Sequence, residues 1–284
     1  MKCENAGMAA TLDPAFVERE YNARARVPEH PAFFARWERD SAFVRATLPC
    51  ALDLAYGPDP RHRIDWFPAE GARDTLVFIH GGYWRSLDKS IFSWLAAPYV
   101  AAGANVAMVN YRLCPAVRID AIIEDVVAAV NWVMEHKAPG RAVVAGHSAG
   151  GHLVGALFAA PRARFRFDPA RIAGGVSLSG LFDFAPLRLF SFNSDFGLDE
   201  AAVARLDLHD KATTLAAPLV IAAGGAESSE FQRQSRLIAE RWGPQVRSLH
   251  ILPGVNHFSI VDAFAERGQP LHTETLQLLG SDSN

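Results

Sequence analysis

The chain has 284 residues, half of them hydrophobic and 21% charged, with a formal net charge of -3. That balance excludes a disordered chain and leaves enough residues for a core that needs no staples. No basic stripe or polybasic block is present, which argues against nucleic acid or an anionic membrane as partner and leaves a small-molecule substrate as the expectation.

The first residues, Met1-Lys2-Cys3-Glu4-Asn5, lead into a polar stretch without the apolar segment of a signal peptide, and no run of 18 apolar residues occurs. These features predict a cytoplasmic protein with no membrane association. Residues 1–55 lean towards helix and carry Phe16, Tyr21, Phe33, Phe34, Trp37 and Phe43 as apolar stripes without a catalytic pattern. They read as an N-terminal helical arm packed over the main body. Cys3, Cys50 and Cys114 are too dispersed for a disulfide framework or a zinc knuckle.

From about residue 56 the chain alternates short apolar runs with amphipathic segments. Runs at 64–67, 75–80, 106–111, 143–146, 175–179, 219–223 and 246–252 predict strands, several of them uninterrupted and therefore buried on both faces of a mostly parallel sheet. Ile122, Val126, Val130 and Val133 recur at helical spacing, with Asp120 as the predicted N-cap and Pro139-Gly140 as the stop. Residues 181–217 are too long for a simple connection and predict a small cap over the carboxyl edge of the sheet. The whole is read as one domain, 1–284.

The chemistry concentrates at three places. Val143 to Gly146 runs into Gly146-His147-Ser148-Ala149-Gly150 and then a small-residue helix start, the strand, turn and helix that a nucleophile elbow requires. Such a turn pushes Ser148 out above the sheet. A serine hydroxyl needs a base and a group that orients the base. His257 follows the last predicted strand on a loop at the same end of the sheet, whereas His250 lies within that strand and reads as packed. The acid is expected after the strand ending at Ala223, where Glu227 is the first choice, Glu230 at the helix start the second, and Asp210 a further alternative. The third place is His80-Gly81-Gly82-Tyr83-Trp84, which follows a strand and predicts an oxyanion hole from the backbone N–H groups of Gly82, Tyr83 and Ala149. Gly81 and Trp84 are assigned to substrate contact.

His80, His147 and His152 read as structural. Arg188 and Asn193 read as surface residues, and Phe182, Phe184, Phe190, Phe192 and Phe196 as either a substrate wall or the cap's own small core. No HExxH, clustered metal-ligand spacing, GxGxxG or phosphate loop occurs, so neither metal nor cofactor is expected.

His80-Gly81-Gly82-Tyr83-Trp84 resembles the HGGxW motif of the kynurenine formamidase (arylformamidase) branch of the α/β-hydrolase esterase/lipase superfamily. Asn110-Tyr111-Arg112-Leu113 and Glu230-Phe231-Gln232-Arg233-Gln234-Ser235 are similar to that branch as well, and the likeness runs from about residue 20 to His257. It implies an α/β-hydrolase fold and a metal-free Ser-acid-His triad of Ser148, Glu227 and His257, with glutamate where the family has aspartate. It further implies hydrolysis of N-formyl-L-kynurenine to formate and kynurenine through an acyl-serine. A short-chain carboxylesterase would use the same machinery, and a third reading is a binding protein that has lost catalysis. A homodimer is the assembly the reading allows.

Overall fold

The computed structural model describes residues 13–280; Cys3 and the leader reading of Met1 to Asn5 fall outside them. An eight-stranded sheet forms the centre: β1 (Ala51–Ala55), β2 (Arg63–Phe67), β3 (Thr75–Ile79), β4 (Asn105–Val109), β5 (Ala142–His147), β6 (Ile172–Leu178), β7 (Leu219–Gly224) and β8 (Val246–Leu252). Their spatial order is β1-β2-β4-β3-β5-β6-β7-β8. β2 pairs antiparallel with both the edge strand β1 and β4, and all other neighbouring pairs are parallel.

All seven predicted runs are strands, and the reason is visible in β3. Val77 and Ile79 face one apolar layer while Leu76 and Phe78 face the other, and all four are buried. A strand covered on both faces by helices has no polar side to alternate with, hence the continuous apolar run. The eighth strand, β1, lies in residues read as arm. Its Leu-Asp-Leu alternation is half exposed at the sheet edge, and so short a pattern gives a weak signal.

The helix Ile119–His136 buries Ile122, Val126, Val130 and Val133 along one face, as their spacing predicts. It starts two residues earlier than the expected N-cap at Asp120 implies. Arg118 is the N-cap, and Asp120 sits in the first turn, where its carboxylate suits the helix N-terminus and pairs with Arg205 at 3.3 Å.

Before the sheet, helices Pro14–Tyr21, Ala23–Arg26 and His30–Thr47 pack over it, with Val17, Tyr21 and Trp37 fully buried. Residues 181–217 hold short helical turns at Pro186–Leu189, Asn193–Phe196 and Glu200–Leu206. Among the described residues, no helix is long and apolar enough to cross a membrane.

Candidate active site

Ser148 stands at the junction of β5 and the helix Ala149–Phe158, with φ 56° and ψ -116°. This is a sparsely populated backbone region for a residue with a side chain. The turn is held by the Ser148 N–H donating to the Leu178 carbonyl at 2.7 Å and by close packing against β3. A Cβ on Gly150 would lie 2.1 Å from the Ile79 carbonyl oxygen and 2.8 Å from that of His80. Gly150→Ala is therefore expected to cost roughly 1–3 kcal/mol through forced separation of helix and strand, read as a lower urea midpoint. A wild-type midpoint would show that the elbow does not depend on this approach.

The Ser148 hydroxyl lies 3.1 Å from His257 Nε2, and His257 Nδ1 lies 2.6 Å from Glu227 Oε2. All three residues are buried. The other oxygen of Glu227 accepts from the Gly224 N–H and from the Ser179 hydroxyl, both at 2.6 Å, so the carboxylate is fixed at both ends. His257 is packed against the Phe231 ring, 4.5 Å between centroids. Its carbonyl accepts from His147 Nε2 at 2.8 Å. Burial pushes His147 well below the ordinary imidazole pKa, and the nearby His257 charge adds to this. His147 therefore braces the loop as a neutral ring.

The competing carboxylates lie elsewhere. Glu230 Oε2 accepts from the Tyr21 hydroxyl at 2.6 Å and its carboxylate pairs with Arg233. Asp210 faces His209 and Arg241. Of the remaining histidines, His250 pairs with Glu274 at 2.7 Å, and His272 is buried in the helix Pro270–Leu278.

Gly82 and Tyr83, expected to supply two oxyanion donors, line the cleft with Ser148, and Ala149, the third, follows the serine at the start of its helix. Among the described residues none of their three backbone N–H groups has an acceptor. Tyr83 holds φ 52° and Trp84 φ 53°, which turns the loop sharply after β3. Beneath it, His80 stacks on Tyr111 at 4.3 Å and places Nε2 3.0 Å from the Asn110 side-chain oxygen. Burial pushes the His80 pKa down to about 4, consistent with a structural ring.

The substrate-contact assignments of Trp84 and Gly81 are corrected. Trp84 is fully buried and points away from the cleft, with Phe184 at 5.3 Å and Phe196 at 5.6 Å between centroids. The Tyr83 ring lines the cleft, and the Trp84 ring meets it edge-to-face from the core side, 6.1 Å between centroids. Gly81 is absent from the cleft wall and is needed instead for proximity, since a Cβ there would lie 2.9 Å from the His147 carbonyl oxygen.

The cap phenylalanines divide between the two roles left open. Phe182, Phe184, Phe190 and Phe196 are core, whereas Phe192 lines the cleft. Arg188 pairs with Glu200, and Asn193 caps its own loop through the Leu198 N–H. Asp183, Asp207 and His209 bring ligand-type atoms within 4.8 Å of one another. Asp183 is already engaged by Arg233 and the Ala185 N–H, and Asp207 by the Phe184 N–H. Loop bracing accounts for that cluster.

The N-terminal segment contributes what sequence reasoning missed. Asn22, Ala23, Phe34 and Trp37 form part of the cleft wall opposite Ser148. The Tyr83 hydroxyl donates to the Tyr21 carbonyl, while the Tyr21 hydroxyl sits between Glu230 and Gln234. The helical arm thereby props the loop that carries two of the three free amides. No local motif signals such a contact.

A family model for the alpha/beta hydrolase fold matches residues 76–227. The kynurenine formamidase of Danio rerio is 25% identical over 249 residues, covering 84% of each chain. That of Drosophila melanogaster is 27% identical over 228 residues, covering 75% of this chain and 76% of the relative. Among solved structures, a provisionally assigned thioesterase from Silicibacter sp. TM1040 is 32% identical with a TM-score of 0.84, covering 95% of this chain and 99% of that one.

Proposed function

We propose that this chain, which belongs to the alpha/beta hydrolase family, is a serine hydrolase that releases formate from the formamide of an aromatic amine, N-formyl-L-kynurenine being the leading substrate. The observation that carries the reading is the continuous path from Glu227 through His257 to Ser148, at 2.6 and 3.1 Å, beside three amides free to bind an oxyanion.

In this mechanism His257 Nε2 takes the hydroxyl proton as Ser148 Oγ bonds to the formyl carbon. Glu227 holds Nδ1–H and steadies the imidazolium. The N–H groups of Gly82, Tyr83 and Ala149 receive the developing negative oxygen, each such donor being worth about 3–4 kcal/mol in the transition state. The C–N bond then breaks, the aryl amine leaves with the proton from His257, and formyl-serine remains. Water, deprotonated by the same histidine, attacks the ester and frees formate and Ser148. Every charge that develops is met by a side chain or backbone dipole, so the chemistry asks for no metal.

The formamide reading draws on the formamidase relatives and on the aromatic cleft of Phe34, Trp37, Tyr83 and Phe192, which suits a flat leaving group. A second reading, hydrolysis of a short-chain ester or thioester, is favoured by the likeness to the Silicibacter structure. The two separate in kcat/KM for N-formyl-L-kynurenine, p-nitrophenyl acetate and an acetyl thioester, measured with chelator present. The formamide is expected to lead by at least about tenfold, the ratio given by 1.4 kcal/mol of differential transition-state binding. A lead for either ester would transfer the function to the second reading while leaving the triad in place.

A further inference from the structure

Two arginines flank the cleft, and the chemistry proposed above uses neither. Arg24 comes from the N-terminal segment and Arg85 from the loop after Tyr83; both line the cleft, and no aspartate or glutamate is among the residues of its wall. Each guanidinium lies over the ring of a wall phenylalanine, Arg24 at 5.4 Å from the centroid of Phe34 and Arg85 at 4.2 Å from that of Phe192. An aromatic face orients a guanidinium without occupying its N–H groups.

The hydrogen-bonding capacity left over is considerable. Arg85 is held along one edge, its Nε donating to Asp195, and its terminal nitrogens have no hydrogen-bond partner among the described residues. Arg24 makes no hydrogen bond through its side chain and no ion pair among the described residues, although it is exposed on a chain with 31 acidic side chains. Partial burial, with the charge of Arg85 adding to it, pulls Arg24 below the ordinary guanidinium pKa. Asp195, outside the cleft wall, offsets the charge of Arg85, so the uncompensated cation of the cleft is Arg24, and an anion meeting its guanidinium and the free terminal nitrogens of Arg85 would relieve it.

We infer that Arg24 and Arg85 form an anion-recognition rim that selects substrates carrying a carboxylate on the group seated in the aromatic cleft. This rests on the hydrolase reading of Ser148 and narrows it to a substrate class: an acylated aromatic amine or alcohol bearing a carboxylate. The planar, two-pronged donor edge of arginine matches a carboxylate in a way that a point charge does not. The rim acts on binding, remote from the bond that breaks, so its effect belongs in KM more than in kcat.

The test compares formanilide with the three formamidobenzoate isomers, which place the carboxylate at different distances from the scissile bond. The readout is the ratio of kcat/KM for the best anionic isomer to that for formanilide, in the wild type and in Arg24→Gln and Arg85→Gln. Intrinsic leaving-group differences cancel when the ratio is compared between proteins. Loss of one charge-assisted contact should lower it about 10- to 100-fold in either variant, mainly through KM. Arg24→Lys should recover part of the loss, and rising ionic strength should erode the anionic preference of the wild type. An unchanged ratio in both glutamine variants, with hydrolysis intact, would overturn the rim and leave the hydrolase reading standing. If the wild type cleaves none of these compounds, that reading falls separately, and direct binding decides the rim. Benzoate binding that exceeds benzamide binding and weakens in Arg24→Gln would support it, whereas equal binding would overturn it.

Discussion

Ser148→Ala is expected to lower kcat by roughly a million-fold, the scale seen when the nucleophile of a triad is removed and only binding and the oxyanion donors remain. The loss should appear in kcat and kcat/KM together, because Oγ forms its bond only along the reaction path. Folding should be nearly untouched. The unusual backbone at φ 56° is imposed by the Leu178 hydrogen bond and the close approach of Gly150 to β3, neither of which involves the side chain. What disappears is one hydrogen bond, that to His257 at 3.1 Å, worth about 1 kcal/mol. Steady-state kinetics and a urea titration on the same preparation check both halves. Activity near the wild-type level would remove Ser148 as the nucleophile, and a collapse of stability would make the kinetic result uninterpretable as chemistry.

The elbow was legible in the sequence because its constraints are local. A buried strand, a serine between glycines and a small-residue helix start are consecutive, so one window of sequence contains the physics. The parallel sheet was legible for a similar reason, since two-sided burial writes itself as an unbroken apolar run. The choice between Glu227 and Glu230 was harder. Both follow β7 within seven residues, and what separates them is the turn at residues 224–227, where the Glu227 N–H returns to the Gly224 carbonyl at 3.1 Å. That turn aims one carboxylate at His257, while the helix Ser229–Trp242 aims the other at Tyr21. The cleft wall was illegible. Asn22, Arg24, Phe34 and Trp37 reach Ser148 from more than a hundred positions away, and in sequence they show only as parts of apolar or basic helix faces. Trp84 illustrates the opposite error. Its place in a motif suggested substrate contact, but the ring is buried against His152, Phe184 and Phe196, partners distant in the chain that the motif does not show.

Glu227→Gln should lower kcat about 10,000-fold, as expected when the orienting carboxylate of a triad becomes an amide, although the side chain keeps its size and position. The direction of the amide decides this. At the inner end, the Gly224 N–H and the Ser179 hydroxyl both donate to Oε1 at 2.6 Å. A backbone N–H cannot accept, so the amide oxygen of the glutamine must take that position and the NH2 group must face His257 Nδ1. There it donates, which obliges Nδ1 to accept and puts the ring proton on Nε2. Nε2 then has no lone pair for the Ser148 proton. The enzyme would carry an intact fold and a histidine in the wrong tautomer. Glu230→Gln is the matched control. Its partners are Tyr21 and Arg233 rather than His257, so its rate should stay within a few-fold of wild type while the anchoring of the N-terminal helices weakens. If Glu230→Gln instead abolished turnover and Glu227→Gln did not, the orienting acid would have to be reassigned. The 2.6 Å contact between Glu227 and His257 would then be a structural pair with no part in proton transfer.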